Sequence, residues 1–525
     1  MYTKRTMSLL TANERSFLEA VSNLAFCNPF LPERTRYERV ALGEDFVEGE
    51  PVWSMTVDNP DQPRANVWRV IDRLEPLIRD LRKRLQNGKK ASARELALYE
   101  DGVLHLLYQR YYHRFLAAGF GPESTKPNRQ RWHFYKEFLA DWEQLFEPEG
   151  LSQRIDPVHT FASFRQIERA FQQIFLNIIG SSTPAAELRA AIWQSIFTHD
   201  LRRYRRTLYG RMSDFVTLIT GPSGTGKELA ARAIAQSRYV PFDPRELRFA
   251  DDDLGTFFPI NISALSPALV ESELFGHRRG AFTGAVGDRK GWLETCPSLG
   301  SVFLDEIGDL DPAIQVKLLR VIETRSFHPV GDTAHRQFYG KLIAATNRNL
   351  EEGIRSGSFR EDLYYRLCSD QITTPSLAEQ LASSPQVLRE LVVYMARRVA
   401  GPEAEGLIPE IISWIELNLK DYRWPGNYRE LEQCVRNVLV RRNYRPSQRR
   451  PGNALDECAE AFCRGTLTGD ELLSRYCTLM YAKTGSYEEA ARRLAMDRRT
   501  VKSKVDRDLL ERLTYQGGNS VSKLP

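Results

Sequence analysis

Short apolar runs alternate with helix-like segments through the middle of the chain. Three such runs, at 215–220, 301–306 and 341–346, consist of β-prone side chains bounded by polar or glycine residues. The sequence between them has the apolar spacing of helices. Strands that alternate with helices predict a parallel, doubly wound sheet. From about Ser384 to Arg442 the pattern becomes purely helical.

The region from Met1 to about Gly180 is predicted to be mostly helical, with a fold that the sequence does not identify. Five apolar residues fall on one helical face: Leu74, Leu77, Ile78, Leu81 and Leu85. Two later stretches, LLYQRYYHRFL and RQRWHFYKEFLADWEQLF, combine aromatic rings with arginines. Such stretches can stack on nucleic-acid bases, but aromatic residues at helical spacing more often form a core. We therefore predict a helical core here, without the strand–helix alternation of a receiver domain.

The composition is that of a globular protein. Apolar residues make up 42% of the 525 residues and charged residues 27%. The net charge of +5 is small for this length, so a basic binding surface would have to be local. The seven cysteines are scattered, which favours reduced thiols over a zinc site. We find no apolar run long enough for a signal peptide or a membrane span, which predicts a cytoplasmic protein without a membrane partner.

A glycine-rich loop follows the first predicted strand and precedes a helix. It reads GPSGTGK and fits the phosphate-binding pattern G-x-x-x-x-G-K, in which backbone N–H groups and one lysine face the phosphates. The next residue, Glu228, stands where the general pattern has a serine or threonine for magnesium. The residues predicted to bind ATP at this loop are Gly221, Pro222, Ser223, Gly224, Thr225, Gly226, Lys227 and Glu228.

Two acidic residues end the second predicted strand. Asp305 is the candidate ligand of Mg²⁺, and Glu306 is the candidate group that polarises the attacking water. Two solvated acids at a strand end are the alternative, which the upstream loop makes less favoured. Asn347 follows the third strand, where an amide could orient the water, although alone it would be an ordinary turn residue.

The segment ESELFGHRRGAFTGA carries a hexapeptide, Gly280 to Ala285, with small residues around Phe282 and Thr283. An aromatic residue on a glycine-hinged loop suggests a contact surface, whereas a tight turn that buries the ring is the alternative. The hexapeptide GAFTGA resembles the signature of sigma-54-dependent activators, a branch of the AAA+ ATPases. The resemblance extends over roughly Leu188 to Arg442. It implies an α/β AAA+ core with a helical lid.

The resemblance also implies residue roles. Glu228 is the family's own residue after the lysine, and Asn347 is its sensor I. Arg360 and Arg366 correspond to the arginines that reach the ATP of a neighbouring subunit, which implies a homo-oligomeric ring. Arg429 would touch nucleotide from the lid. Asn261 would couple Glu306 to the hexapeptide loop. Phe282 and Thr283, at the tip of that loop, would contact sigma-54 in the RNA polymerase holoenzyme.

Two departures from the family pattern accompany this resemblance. The connection RYVPFDPRELRFADDDLGTFFPINIS is longer than usual and is expected to be a surface insertion. After Cys368 the sequence lacks the expected proline- and arginine-rich stretch. The resulting division is a helical regulatory region (1–184), an AAA+ α/β subdomain (185–383), a helical lid (384–444), a linker (445–464) and an all-α C-terminal domain (465–525).

The C-terminal domain has the pattern of a helix-turn-helix. Ser486 is predicted to cap a helix, with Glu489 completing a capping box. Asp497 is predicted to cap a second helix, RRTVKSKVDRDLL, with Val501, Val505 and Leu509 inward. The outward residues at its start, predicted to contact double-stranded DNA, are Arg498, Arg499, Lys502 and Ser503. The pattern resembles a Fis-type helix-turn-helix, and a small helical oligomerisation tail is the alternative.

Together with these features, the resemblance implies an ATP-hydrolysing activator of sigma-54 RNA polymerase that binds upstream DNA and is associated with the bacterial nucleoid. Two alternatives are an AAA+ remodeller that acts on another target and a non-hydrolysing DNA-binding regulator. The remodeller would need neither GAFTGA nor a helix-turn-helix. The second alternative is disfavoured because the lysine, both acids, Asn347 and both arginines are present.

Overall fold

The computed structural model describes residues 8–49, 65–120, 131–148, 151, 155–250, 256–420, 422–446, 461–462, 465, 467–507, 509–510 and 513. The chain divides into two compact units, Met1–Arg442 and Asn443–Pro525.

The N-terminal region is built from α1 (Ala12–Phe26), α2 (Glu33–Leu42), α3 (Ala65–Gln86), α4 (Ala93–Phe120), α5 (Tyr135–Phe146) and α6 (Pro157–Asn177). Helix α1 begins where Thr11 and Glu14 form a reciprocal capping box. Helix α6 is capped by Asp156, whose carboxylate accepts two backbone N–H groups of the first turn. Local sequence therefore sets where these helices start.

The predicted helical core of this region is confirmed. On α3 the side chains of Leu74, Ile78 and Leu81 are fully buried. In the second aromatic stretch Trp132 and Phe138 are also buried, among rings packed edge to face or tilted. The aromatic residues thus form a core, as the helical spacing predicts, and Arg110, Arg114 and Arg131 are exposed around it.

The α/β part contains, in chain order, α7 (Thr183–Phe197), α8 (Leu201–Arg203), β1 (Thr217–Thr220), α9 (Lys227–Ala235), β2 (Phe242–Asp243), β3 (Arg248–Phe249), β4 (Phe257–Asn261), α10 (Pro267–Phe275), β5 (Gly276–His277), β6 (Arg289–Lys290), α11 (Trp292–Thr295), β7 (Ser301–Asp305), α12 (Pro312–Thr324), β8 (Ser326–Phe327), β9 (Arg336–Gln337), β10 (Lys341–Thr346), α13 (Leu350–Ser356), α14 (Glu361–Leu367) and β11 (Asp370–Thr373). Five strands form the main sheet in the order β11-β1-β10-β7-β4, and every neighbouring pair is parallel. The predicted parallel sheet is confirmed.

The two faces of the sheet belong to different cores because successive strand residues point to opposite sides. Leu218 and Val302 pack with the inner residues of α10, α12 and α14. Ile219 and Phe303 pack on the other face, in a cluster that continues through α9 into the N-terminal helices. Helices α6 and α7 both contact α9. The N-terminal region and the sheet therefore share one continuous core.

The long connection after α9 is a surface insertion only in part, because most residues of its described hairpin are exposed whereas Phe242 is buried. Its residues 242–249 form a β2–β3 hairpin, and Phe242 is 6% exposed with its ring 4.8 Å from those of Tyr135 and Phe161. The backbone N–H of Trp132 also donates to Leu247 O at 2.7 Å. The sequence did not predict this anchoring, because the aromatic residues of the hairpin find partners in a distant part of the chain. Residues 251–255 of the connection lie outside the described part.

The helical lid consists of α15 (Leu377–Ser383), α16 (Gln386–Ala400), α17 (Ile408–Asn418) and α18 (Asn427–Arg441). Its first helix begins ahead of Ser384 and follows β11 directly. The residues that end the N-terminal region are bonded to it: Ser181 donates its backbone N–H to Glu390 on α16 at 2.8 Å. The buried guanidinium of Arg189 donates a hydrogen bond to the carbonyl of Ile178, in the connection that contains Ser181, at 3.0 Å.

The C-terminal unit contains α19 (Gly469–Thr484), α20 (Tyr487–Leu494) and α21 (Arg498–Lys504), packed around Cys477, Ala490, Ala491 and Val501. The second predicted helix is shorter than expected. Helix α21 ends at Lys504 because Val505 is extended and Asp506 accepts the backbone N–H of Leu509 at 3.1 Å. Most of the predicted linker lies outside the described residues.

Five cysteines in the described ranges carry free thiols, and Cys458 and Cys463 lie outside those ranges. Among the helices that the structure describes, none has the length and apolar character needed to cross a bilayer.

Candidate active site

The phosphate-binding loop lies between β1 and α9, as predicted. Gly221, Gly224 and Gly226 all have positive φ. A Cβ on Gly221 would lie 2.7 Å from the carbonyl oxygen of Thr374, and one on Gly224 would collide with the carbonyl of Gly426. The loop can therefore curl tightly only with glycine at these positions.

Lys227 begins α9 and turns back over the loop. Its Nζ donates to the carbonyls of Gly221 at 3.0 Å and Pro222 at 3.2 Å. Burial lowers the pKa of this ammonium group, while the nearby carboxylates of Glu306 and Asp305 act in the opposite direction. The loop, the lysine and both acids are thus brought together at one edge of the sheet.

The two acids at the end of β7 have different environments. Burial, and next the adjacent Glu306, raise the pKa of Asp305. A half-buried carboxylate beside a second one favours a nearby cation, so these two acids fit a magnesium ion. Glu306 itself has the left-handed backbone conformation (φ 56°). A non-glycine residue strained in this way is typical of functional sites.

The predicted partner of Glu306 is not the one that it contacts. Its carboxylate accepts the backbone N–H of Asn347 at 3.1 Å, which joins the ends of β7 and β10. The side chain of Asn261 instead accepts the hydroxyl of Ser263 at 2.7 Å. Asn261 nevertheless pairs with Asp305 in the register of β4 and β7, so it lies beside the acids.

The lid contacts the loop through one side-chain and one backbone hydrogen bond, which the sequence does not reveal. The Asn427 amide donates to Ser223 O at 2.9 Å, and the Tyr428 backbone N–H donates to Gly224 O at 3.0 Å. The Cβ of Arg429 lies close to Gly224 as well, so the predicted lid arginine is at the loop. A positive φ at Asn427 makes this approach possible, and a lone asparagine at the start of a helix gives little sign of it.

The two candidate finger arginines project from the surface around α14. Arg360 pairs with Asp362 at 2.7 Å and is 46% exposed, and Arg366 pairs with Glu323 at 3.1 Å and is 59% exposed. Both ion pairs are open to solvent and cost little to exchange for another partner.

The hexapeptide forms a compact turn above β5 and β6. The N–H of Gly280 donates to Ala285 O at 2.9 Å, and the N–H of Ala285 donates to Phe282 O at 3.0 Å. Thr283 is exposed, whereas Phe282 is half-buried with its ring 4.9 Å from that of His277. The aromatic ring at the tip thus packs against the base of its own loop and does not enter the domain core.

Residues 198–373, which hold the sheet, the loop, both acids and the hexapeptide, match the family described as the sigma-54 interaction domain. This part of the chain is similar to the sigma-54 interaction domain family. Phe282 and Thr283 lie within it, as do Arg360 and Arg366. The matched part ends at β11, so the lid and the C-terminal unit lie beyond it.

Curated relatives are similar over the same part of the chain. A Nif-specific regulatory protein of Herbaspirillum seropedicae is 39% identical over 278 residues, covering 53% of this chain and 45% of that protein. The transcriptional regulatory protein GlrR of Escherichia coli is 37% identical over 287 residues, covering 53% and 58%. The chain spans about half the length of these relatives. The crystal structure of NtrX from Brucella abortus in complex with ATP aligns with 78% of this chain and 86% of its own at 21% identity and a TM-score of 0.39.

The C-terminal unit exposes the residues predicted to contact DNA. Asp497 caps α21, and Arg498, Arg499, Lys502 and Ser503 are exposed along it. Arg498 pairs with Glu488 at 3.0 Å on the solvent side. Only half of the predicted capping box forms on α20: Ser486 accepts the N–H of Glu489, but the Glu489 carboxylate pairs with two arginines of its own helix.

Proposed function

We propose that the chain is an ATP-dependent activator of transcription by sigma-54 RNA polymerase. It assembles into a ring, hydrolyses ATP and remodels the closed promoter complex through the GAFTGA loop. The observation that carries the proposal is that a phosphate-binding loop, two strand-end acids and the Phe282 turn lie within one sigma-54 interaction domain. The names of the relatives, a Nif-specific regulatory protein and a transcriptional regulatory protein, point in the same direction.

The hydrolytic roles follow from charge and position. The curled loop directs backbone N–H groups and Lys227 toward the phosphates. Asp305 would hold a magnesium ion, which would supply positive charge beside the phosphate oxygens. Glu306 exchanges the N–H of Asn347 for the attacking water and orients it, and Arg429 reaches the nucleotide from the lid. Phosphoryl transfer depends mainly on positioning and charge neutralisation. These groups therefore suffice for ATP hydrolysis when a further cation faces the γ-phosphate.

That further cation comes from a neighbouring subunit. Arg360 and Arg366 are held only by solvent-exposed carboxylates, so insertion into an adjoining pocket costs little. An arginine finger is worth about 10³ to 10⁵ in rate, so the monomer is nearly inactive and assembly acts as a switch.

The nucleotide state reaches the loop through Glu306. In one state its carboxylate accepts the N–H of Asn347. In the other it pairs with Asn261, which lies beside it in the sheet and releases Ser263. Such an exchange between two discrete arrangements can move the Phe282-Thr283 tip away from His277 toward sigma-54.

DNA binding and regulation are assigned to the flanking regions. The helix-turn-helix of residues 465–525 positions the ring on upstream double-stranded DNA through the exposed face of α21, so the protein works in the cytoplasm at the nucleoid. The region 1–184 controls assembly. Helix α6 of this region contacts α9, the helix that begins at Lys227. This contact supports the role, because a shift of α6 would displace α9 and with it the phosphate-binding loop.

The ATPase part of the proposal is tested by measuring turnover against protein concentration. Specific activity should rise with concentration as interfaces form. A flat zero would leave the non-hydrolysing DNA-binding regulator as the better description.

The sigma-54 part is tested with the variant Phe282→Ala. It should retain ATP turnover but fail to open a sigma-54 promoter in the presence of purified holoenzyme. Tyr339→Ala is the matched control, because Tyr339 is an exposed aromatic residue outside the loop (66% exposed). Full promoter opening by Phe282→Ala would refute the role of the loop and favour a remodeller with another target.

A further inference from the structure

Helix α6 of the N-terminal region contacts two chain segments that flank the strand–loop–helix unit β1–loop–α9, which carries the phosphate-binding loop. The entry segment (residues 204–216) runs into β1 ahead of the loop, and the exit segment (residues 236–239) leaves α9 after it. The loop joins the end of β1 to the start of α9. Both segments therefore lie at the end of the unit that is opposite the loop.

One buried side chain of α6 bonds to both segments. Gln166, which is 3% exposed, accepts the hydroxyl of Tyr204 in the entry segment at 2.8 Å through its Oε1. Its Nε2 donates to Ser237 O in the exit segment at 2.9 Å. Breaking either bond would leave a buried polar group without its partner, so this connection is costly to open.

A second side chain of α6 repeats the arrangement two turns earlier, on the same face of the helix. The Nε2 of His159 lies 2.9 Å from Arg205 O in the entry segment, and its Nδ1 lies 2.8 Å from the hydroxyl of Tyr239 in the exit segment. A carbonyl oxygen only accepts, so Nε2 carries the proton and Nδ1 accepts from Tyr239 in the neutral ring. Burial lowers the pKa of His159, which favours that neutral form.

The two segments are also fixed to each other and to the sheet. Arg238 of the exit segment donates to the hydroxyl of Ser213 in the entry segment. The buried ammonium group of Lys341, the first residue of β10, donates to Met212 O at 3.2 Å and to Phe215 O at 2.9 Å. The entry segment is thus firmly held along its length, and a displacement of α6 is transmitted to β1.

We propose that Gln166 and His159 are positioning residues for nucleotide binding: they make α6 a clasp that holds the two ends of the strand–loop–helix unit at the separation that the curled loop requires. This inference rests on the proposed function and gives the control by region 1–184 a physical route. A loop that is already held in its binding conformation loses less conformational entropy when the phosphates bind. A signal that tilts α6 then changes nucleotide affinity without any contact to the nucleotide.

The experiment compares Tyr204→Phe and Tyr239→Phe in the full chain, because each removes one hydroxyl of the clasp and keeps the ring. Tyr111→Phe is the matched control: Tyr111 is also buried, and its hydroxyl donates to Asp141 at 3.0 Å, between α4 and α5. Binding of a fluorescent ATP analogue is measured without polymerase, well below the unfolding temperature of each variant. Amide hydrogen exchange of residues 217–235 and ATP turnover are measured on the same preparations.

Each of the two clasp variants should weaken nucleotide binding by about three- to tenfold, the size expected for a substitution along a coupling route. Exchange in residues 217–235 should speed up in both. The KM for ATP should rise by a similar factor with little change in kcat, because Glu306 and the finger arginines are untouched. Tyr111→Phe should leave all of these unchanged.

A double-mutant cycle tests the bond of Gln166 directly. Gln166→Met should weaken nucleotide binding at least as much as Tyr204→Phe. Adding Tyr204→Phe to Gln166→Met should then change binding little, because both substitutions remove the same hydrogen bond. Fully additive effects would contradict the clasp.

The outcomes separate the clasp from the proposed function. Unchanged binding and exchange in both Tyr204→Phe and Tyr239→Phe overturn the clasp, and so does an equal loss in Tyr111→Phe, which would indicate a general loss of stability. If the unaltered protein binds the analogue but does not hydrolyse ATP, the proposed function fails and the binding measurements still decide the clasp. If it binds no nucleotide, both proposals fail.

Discussion

The hairpin β2–β3 offers a sharp test of whether the N-terminal helices are an integral part of the nucleotide-binding core. Phe242 is 6% exposed, and its ring lies 4.8 Å from those of Tyr135 and Phe161 and 5.0 Å from that of Phe249. Replacing such a ring by alanine removes its burial and leaves a cavity, which costs about 3–5 kcal/mol. The variant Phe242→Ala should therefore lose about 4 kcal/mol of unfolding free energy.

The assay is urea denaturation followed by tryptophan fluorescence, with binding of a fluorescent ATP analogue measured in parallel. Trp132 reports on the same cluster because its ring lies 5.1 Å from that of Phe249. Since Ile219 and α9 share a core with the N-terminal helices, nucleotide binding should be lost in the same transition as the fluorescence change. Phe215→Ala is the matched control, since that ring is 40% exposed and should cost less than about 1 kcal/mol.

Two results would refute the reasoning. A loss in Phe242→Ala no larger than in Phe215→Ala would mean that the hairpin does not contribute to the core. If fluorescence shows that the variant has unfolded at a urea concentration at which it still binds nucleotide, the helices and the sheet unfold independently. The same continuity predicts that removal of residues 1–184 exposes the apolar side of α9. Such a truncation is therefore a poor probe of regulation compared with single substitutions.

Three further predictions concern the site and the core. Glu306→Ala should bind ATP but not hydrolyse it, and turnover near the unaltered rate would remove Glu306 from the mechanism. Arg366→Ala should also be inactive alone, but mixing it with Glu306→Ala should restore part of the turnover, because an intact pocket then meets an intact arginine; an inactive mixture would argue against action in trans. Burial, and next the charge of Arg34, lower the pKa of His105 from its ordinary value of 6.5 to about 4. The folded state therefore binds fewer protons, so stability should fall as the pH drops from 6.5 toward 4. His105→Asn should flatten this dependence in melting temperatures measured at several pH values, and an unchanged slope would contradict it.

The local parts of the site could be read from the sequence because each depends on neighbours along the chain. A curled loop requires glycines at fixed spacing, as Gly221 and Gly224 show, and the lysine follows because it begins the next helix. The acids are recognisable because a buried strand places its last residues at the sheet edge. Helix caps such as Asp497 are set by the same short-range hydrogen bonds.

Contacts between distant segments were beyond such reasoning. The aromatic residues of β2–β3 had no apparent partner, since Tyr135 and Phe161 are far away in sequence. The lid contact of Asn427 with the phosphate-binding loop is of the same kind. Asn261 and Asn347 are both candidate partners of Glu306 in the sequence, and only the packing of adjacent strands decides that Glu306 accepts the N–H of Asn347.

Taken by itself, the sequence determined which chemical groups are available and the order in which strands, loop and helices occur, because glycine geometry, strand period and capping act over a few residues. The tertiary structure alone decided that the N-terminal helices share a core with the sheet and that the side chain of Arg278 forms a hydrogen bond between two separate loops. Such pairings depend on which distant surfaces meet when the chain closes on itself. That choice is a property of the whole packed molecule and of no single segment.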